Sequence, residues 1–181
     1  MKRHCLGGIA LVTCIFSLYG ADWPRFRGTD GTGVSSETGW LGAWPGGQPR
    51  QVWKANVGAG FSSVTLAEGR LFTLGHNGLK DGGIDSIVAI DPINGQEIWH
   101  HSYPEKLADH YYEGGTSGTP TLDGGRVYTL SKSGIALCLD AGTGKVLWSR
   151  NLATELGIKI PEWGFAGAPH INGDRVIYNA G

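Results

Sequence analysis

The densest set of titratable side chains in this sequence is His100, His101 and His110 with Asp109 and Glu113. Histidine and carboxylate together could ligate a metal, provided the side chains converge within coordination range. His100 and His101 are neighbours, however, so on a strand they point to opposite faces and only one could join a given site. A surface or inter-unit loop is the expected setting, and "DHYYEGG" (109–115) is expected to line one face of the molecule. Two Gly-rich stretches also carry acids, "DGGID" (81–85) and "GTDGTG" (28–33). Neither has the five or six oxygen positions of a calcium loop, and both are expected to be solvated turns. "AGTGKV" (141–146) resembles a phosphate-binding loop only superficially. Position 139 is Leu where that motif requires Gly, and Val146 follows Lys145 where it requires Ser or Thr. Cys138 has no evident His partner in the sequence and is expected to be a small buried side chain. No catalytic residue and no metal ligand is assigned.

Composition narrows the class. Gly supplies 31 of 181 residues and Trp seven, which fits many short strands joined by tight turns. Residues 1–20 have the form of an export signal: Lys2 and Arg3, an apolar stretch from Leu6 to Leu18, then Gly20. Lipoprotein processing at Cys14 and an uncleaved anchor are the alternatives. Thirteen apolar residues are short for a membrane span, and no second apolar run exists. Export places the chain in the periplasm or outside the cell. Without Lys2 and Arg3, 13 basic residues face 16 acidic ones, and no basic patch invites nucleic acid. Cys5 and Cys14 leave with the signal, so Cys138 has no partner for an internal disulfide.

The elements that must position these residues repeat. "AIDPINGQEIW" (89–99) and "CLDAGTGKVLW" (138–148) place an Asp, a Gly and a Trp at the same spacing, 49 residues apart (148 − 99). "SVTLAEGRLFTLG" (63–75), "TPTLDGGRVYTLS" (119–131) and "APHINGDRVIYNA" (168–180) share a strand, a polar turn, an Arg and a second strand. Each unit predicts four strands; in the second they run over Thr119–Leu122, Arg126–Ser131, Ala136–Asp140 and Val146–Asn151. A four-stranded repeat of 40 to 50 residues is the pattern of a β-propeller blade. Asp91 and Asp140 are expected to make Asx turns, with Gly95 and Gly144 supplying positive φ. Trp99 and Trp148 would then each bury on the order of 200 Å² against the next blade, and Trp148→Ala would cost the longer parent about 3–5 kcal/mol. The predicted fold is all-β, a partial propeller over 50–181, preceded by an extended lead-in over 21–49. "RQVWKANVG" (50–58) is expected to be a lone strand. One orphan strand, two full blades and half a blade read as a fragment of a longer propeller.

Residues 138–148 match the tryptophan-docking motif at Asp140, Thr143, Gly144, Lys145 and Trp148; residues 89–99 match at Ala89, Asp91, Gly95 and Trp99. On these residues the chain resembles the PQQ-like (pyrroloquinoline quinone repeat) β-propeller family. "DWPRFRGTDGTGV" (22–34), "VWKANVGAGFSSV" (52–64) and "PEWGFAGAPHINGDRVI" (161–177) are similar to secreted members of planctomycete type. The resemblance implies either of two activities. One is an exported binding or scaffold protein without catalysis of its own, meeting a protein or glycan through its face loops. The other is a quinoprotein alcohol or sugar dehydrogenase that binds PQQ and Ca²⁺. No adjacent cysteine pair of the dehydrogenase kind is present, so no cofactor is predicted for this chain, and PQQ and Ca²⁺ belong to the second reading of the longer parent.

Overall fold

The computed structural model describes residues 20–110 and 112–180. The export signal expected over residues 1–20, with Cys5 and Cys14, lies outside them except for Gly20, as does Tyr111. Two four-stranded antiparallel sheets and one two-stranded sheet follow one another along the chain. The first holds β1 (Thr65–Ala67), β2 (Arg70–His76), β3 (Ile84–Ile90) and β4 (Glu97–Pro104) in that order. The second repeats the order with β5 (Thr121–Asp123), β6 (Arg126–Leu130), β7 (Ile135–Asp140) and β8 (Val146–Asn151). A short helix, α1 (Leu152–Leu156), leads toward β9 (His170–Asn172) and β10 (Arg175–Ile177), which pair as the start of a third unit. This is part of a β-propeller made of four-stranded blades.

Period-2 alternation decides what each sheet buries. Phe72, Leu74, Ile87, Ala89 and Tyr103 of the first unit meet Leu122, Val127, Leu137 and Leu139 of the second in one core. The residues in between on the second unit, Leu130 and Ala136, pack with Ala153, Phe165 and Ala180 in another. The second sheet is therefore apolar on both faces, as a blade stacked between two others requires. Among the described residues, no helix is long and apolar enough to cross a membrane.

Both β3–β4 and β7–β8 carry a register shift at the same place, between Ala89 and Ile90 and between Cys138 and Leu139. The shift sets Trp99 opposite Ala89 and Trp148 opposite Cys138. A small residue is needed across from a Trp there, which explains why Cys138 is fully buried and why burial pushes its thiol pKa up. Residues 50–58, expected as a lone strand, form no ladder with the described residues; bridges begin at Ala59, to His76, and Gly60, to Thr116.

Candidate functional site

Antiparallel order puts the 77–83 and 131–134 turns, and the long connections 105–120 and 152–169, at one end of the sheets. We call this the connection end. Here His76, Asp85 and Tyr103 are direct ladder partners across β2, β3 and β4, so their side chains share one face. All three are buried. His76 Nδ1 accepts from the Gly78 N–H at 2.9 Å, which leaves the proton on Nε2 to bond the Glu105 carbonyl at 3.1 Å. Asp85 Oδ1 and the Tyr103 hydroxyl have no hydrogen-bond partner among the described residues. Burial raises the Asp85 pKa to about 7, helped by repulsion from Glu105 and opposed by Lys132. Burial likewise pushes the Tyr103 phenol well up, with Asp85 and Glu105 adding to the effect. The expectation of solvated turns holds for Asp81, which is exposed, but not for Asp85. The reason is alternation: Asp85 already belongs to β3 and falls on its inward face, where Glu105 and the second unit's Lys132 close over it.

The second unit completes the site. Ser133 Oγ donates to Glu105 Oε2 at 2.6 Å, tying the two units together at this end. Lys132 is only 4 % exposed although it carries an ammonium. That ammonium bonds the Tyr112 hydroxyl and lies 4.5 Å from the centre of the same ring. Tyr112 stands between Phe61, at 5.6 Å between ring centres, and Trp163, at 5.8 Å. Each of the three rings comes from the connection leading into a different unit. Phe61 and Trp163 keep 59 % and 49 % of their surface exposed. The connection end thus presents a row of tilted aromatic rings above one buried cation and one buried carboxyl. Only the loop around Tyr112 was marked by the sequence as lining a face. The available signal for Phe61 and Trp163 was a large apolar residue in a Gly-rich connection that no strand needs.

The repeated turns occupy the opposite end. Asp91 Oδ1 accepts from the Ile93 N–H at 2.7 Å and Asp140 Oδ1 from the Thr143 N–H at 2.8 Å. The Thr143 hydroxyl and amide hold the Asp140 carboxyl below the usual carboxylate range. Gly95 and Gly144 take φ of 73° and 72°. A Cβ on Gly144 would lie 2.5 Å from the Trp99 ring, and one on Gly95 2.6 Å from the Trp53 ring. Trp99 Nε1 donates to the Ala141 carbonyl at 3.0 Å and Trp53 Nε1 to the Pro92 carbonyl at 2.9 Å. Each of these two Trp therefore lies on the turn of the following unit. Trp148 is 36 % exposed and meets Tyr128 of its own sheet, ring centres 6.1 Å apart.

The histidine and acid group does not come together. His100 pairs with Glu97 at 2.6 Å, while His101 stacks beside Tyr103 and is held below its usual pKa by burial and by His100. Asp109 pairs with Lys80 at 2.5 Å. Among the described residues, no three His, Cys, Asp or Glu side chains are grouped to hold a metal ion. His170 is the first residue of β9 and is exposed, although Thr121 at the equivalent position of the second unit is buried.

A family model for PQQ-type repeats, described as outer membrane protein assembly factor BamB, matches residues 83–181. The chain belongs to this PQQ-repeat family. No curated protein matches the chain. Among solved structures, a europium-containing methanol dehydrogenase is 18% identical with a TM-score of 0.52, covering 70% of this chain and 22% of its own. A quinohemoprotein alcohol dehydrogenase from Pseudomonas putida HK5 is 20% identical with a TM-score of 0.50, covering 71% and 18%. BamB from Moraxella catarrhalis is 16% identical with a TM-score of 0.40, covering 61% and 31%. The chain spans less than a third of the length of each. At such identities the likeness to the dehydrogenases is one of fold.

The Asp85–Glu105 pair does not fit a Ca²⁺ centre. The two carboxyls that approach each other, Asp85 and Glu105, share their site with the Lys132 ammonium, and Asp85 is biased toward its neutral form.

Proposed function

We propose that this chain is part of an exported, non-catalytic binding propeller, whose turns build the scaffold and whose connection end meets a protein partner. The observation that carries this reading is where the motif's polar groups go. The Asp91 and Asp140 carboxylates are used by their own turns, and the Trp53 and Trp99 indoles by the neighbouring unit. The repeated device thus serves the docking of blade on blade, with Trp53 on the Gly95 turn and Trp99 on the Gly144 turn. These polar groups are satisfied within the fold, so the repeat is architecture. The exposed rings of Phe61 and Trp163 lie elsewhere, on connections that the scaffold holds in place. The basic, apolar leader of residues 1–20 supports export.

Calorimetric titration with PQQ and Ca²⁺ tests the reading against the dehydrogenase alternative. No heat of binding is expected from a protein shown to be folded by circular dichroism. Saturable binding near 1:1 would overturn the non-catalytic reading. In parallel, a partner retained by the immobilised protein should be lost with Phe61→Ala and Trp163→Ala and kept with Trp40→Ala, a change on the lead-in.

A further inference from the structure

The geometry points to a strap: residues 22–30 of the lead-in bridge the inner strands of three successive units and lock them in register. Trp23 exchanges two backbone hydrogen bonds with Leu66 on β1, at 2.7 and 3.0 Å. The next carbonyl, of Pro24, accepts from the Leu122 N–H on β5 at 2.8 Å. The next side chain, Arg25, places Nη1 3.4 Å from His170 Nδ1 on β9. Three consecutive residues therefore reach three consecutive units. Pro24 suits the middle position, since it offers a carbonyl and has no N–H left to satisfy.

The strap is also locked upon itself. Gly28 N–H bonds the Arg25 carbonyl at 2.9 Å, and Arg25 Nε bonds the Gly28 carbonyl at 3.1 Å. The Arg25 guanidinium also reaches the Thr29 carbonyl. The Trp23 ring lies flat over Gly28, where a Cβ would come within 2.7 Å of it, and Gly28 has φ 78°. The strap thus closes on a buried glycine that no other residue can replace without displacing the Trp.

This contact has a physical purpose. The inner strands are three residues long, and each is paired on one side only by its own sheet. A short strand with a free edge is both weakly held and open to pairing with another chain. The strap covers that edge at Leu66 and Leu122. An extended segment of a partner cannot add there, and recognition is left to the connection end.

The test is amide exchange, followed residue by residue on the whole chain and on Gly28→Ala and Trp23→Ala variants. In both variants the Leu66 and Leu122 amides should exchange about tenfold faster or more, while amides of the central strands β3 and β7 keep their protection. A Trp23→Phe variant, which keeps a ring over Gly28, should restore most of the protection. Unchanged exchange at Leu66 and Leu122 in both variants would overturn the strap. So would equal loss across β3 and β7, because the segment would then be an inseparable part of the core.

Discussion

At Asp85, burial and the neighbouring Glu105 raise the carboxyl pKa to about 7, and Lys132 opposes them only in part. The folded state therefore holds this proton more tightly than the unfolded chain does. Its contribution to stability is complete below about pH 4 and is lost as pH rises toward 7, on the order of 4 kcal/mol in all. Asp85→Asn should remove this dependence. We expect the variant to match the parent near pH 4 and to exceed it by about 1–3 kcal/mol at pH 8, read from denaturant unfolding at both values. Parallel pH profiles would show that Asp85 is not the group responsible. "DGGID" could not reveal this from sequence. The burial of Asp85 is set by Glu105 and by Lys132 of the next unit, which no local pattern places beside it. Cys138 was legible, because its position opposite a repeating Trp demands a small side chain whatever the rest of the fold does.

At the scale of the element, the turn and the Trp act as one part made from two units. Gly144 and Gly124 both have positive φ, yet a Cβ on Gly124 meets nothing within 4 Å, while on Gly144 it meets the Trp99 ring at 2.5 Å. Both alanine variants carry the backbone cost, about 1–3 kcal/mol. Gly144→Ala should exceed Gly124→Ala by the cost of moving Trp99, and equal losses in thermal unfolding would disprove the contact. Trp99→Ala should cost about 3–5 kcal/mol, as for other large aromatic truncations. Trp148→Ala should cost clearly less in this chain, since about a third of its surface is open. The four strands per unit were legible because Asx turns, glycines and alternation recur in register. The seat of Trp53 on the turn at 92–95 was not, because residues 50–58 reach it without any ladder among the described residues.

For the whole molecule, the question is what makes separate sheets unfold together. The first and second units share one apolar core, and three further contacts tie them: Trp99 on the 141–144 turn, Ser133 on Glu105, and the Gly125 N–H on Glu68 at 3.1 Å. Stacked repeats behave as neighbours coupled in a row, so the chain's cooperativity depends on these interfaces rather than on any one sheet. The period in the sequence announced the stack. The connections that give it a recognition face, Phe61, Tyr112 and Trp163, lie where the repeats differ most and so carried the weakest signal. If coupling runs through Trp99, its removal should do more than lower the midpoint. Unfolding of Trp99→Ala followed by far-ultraviolet circular dichroism and by tryptophan fluorescence should separate into two transitions, each with a smaller denaturant slope than the parent's. A single coincident transition with the parent's slope would mean that the shared core and the 22–30 strap alone suffice to make the units fold as one.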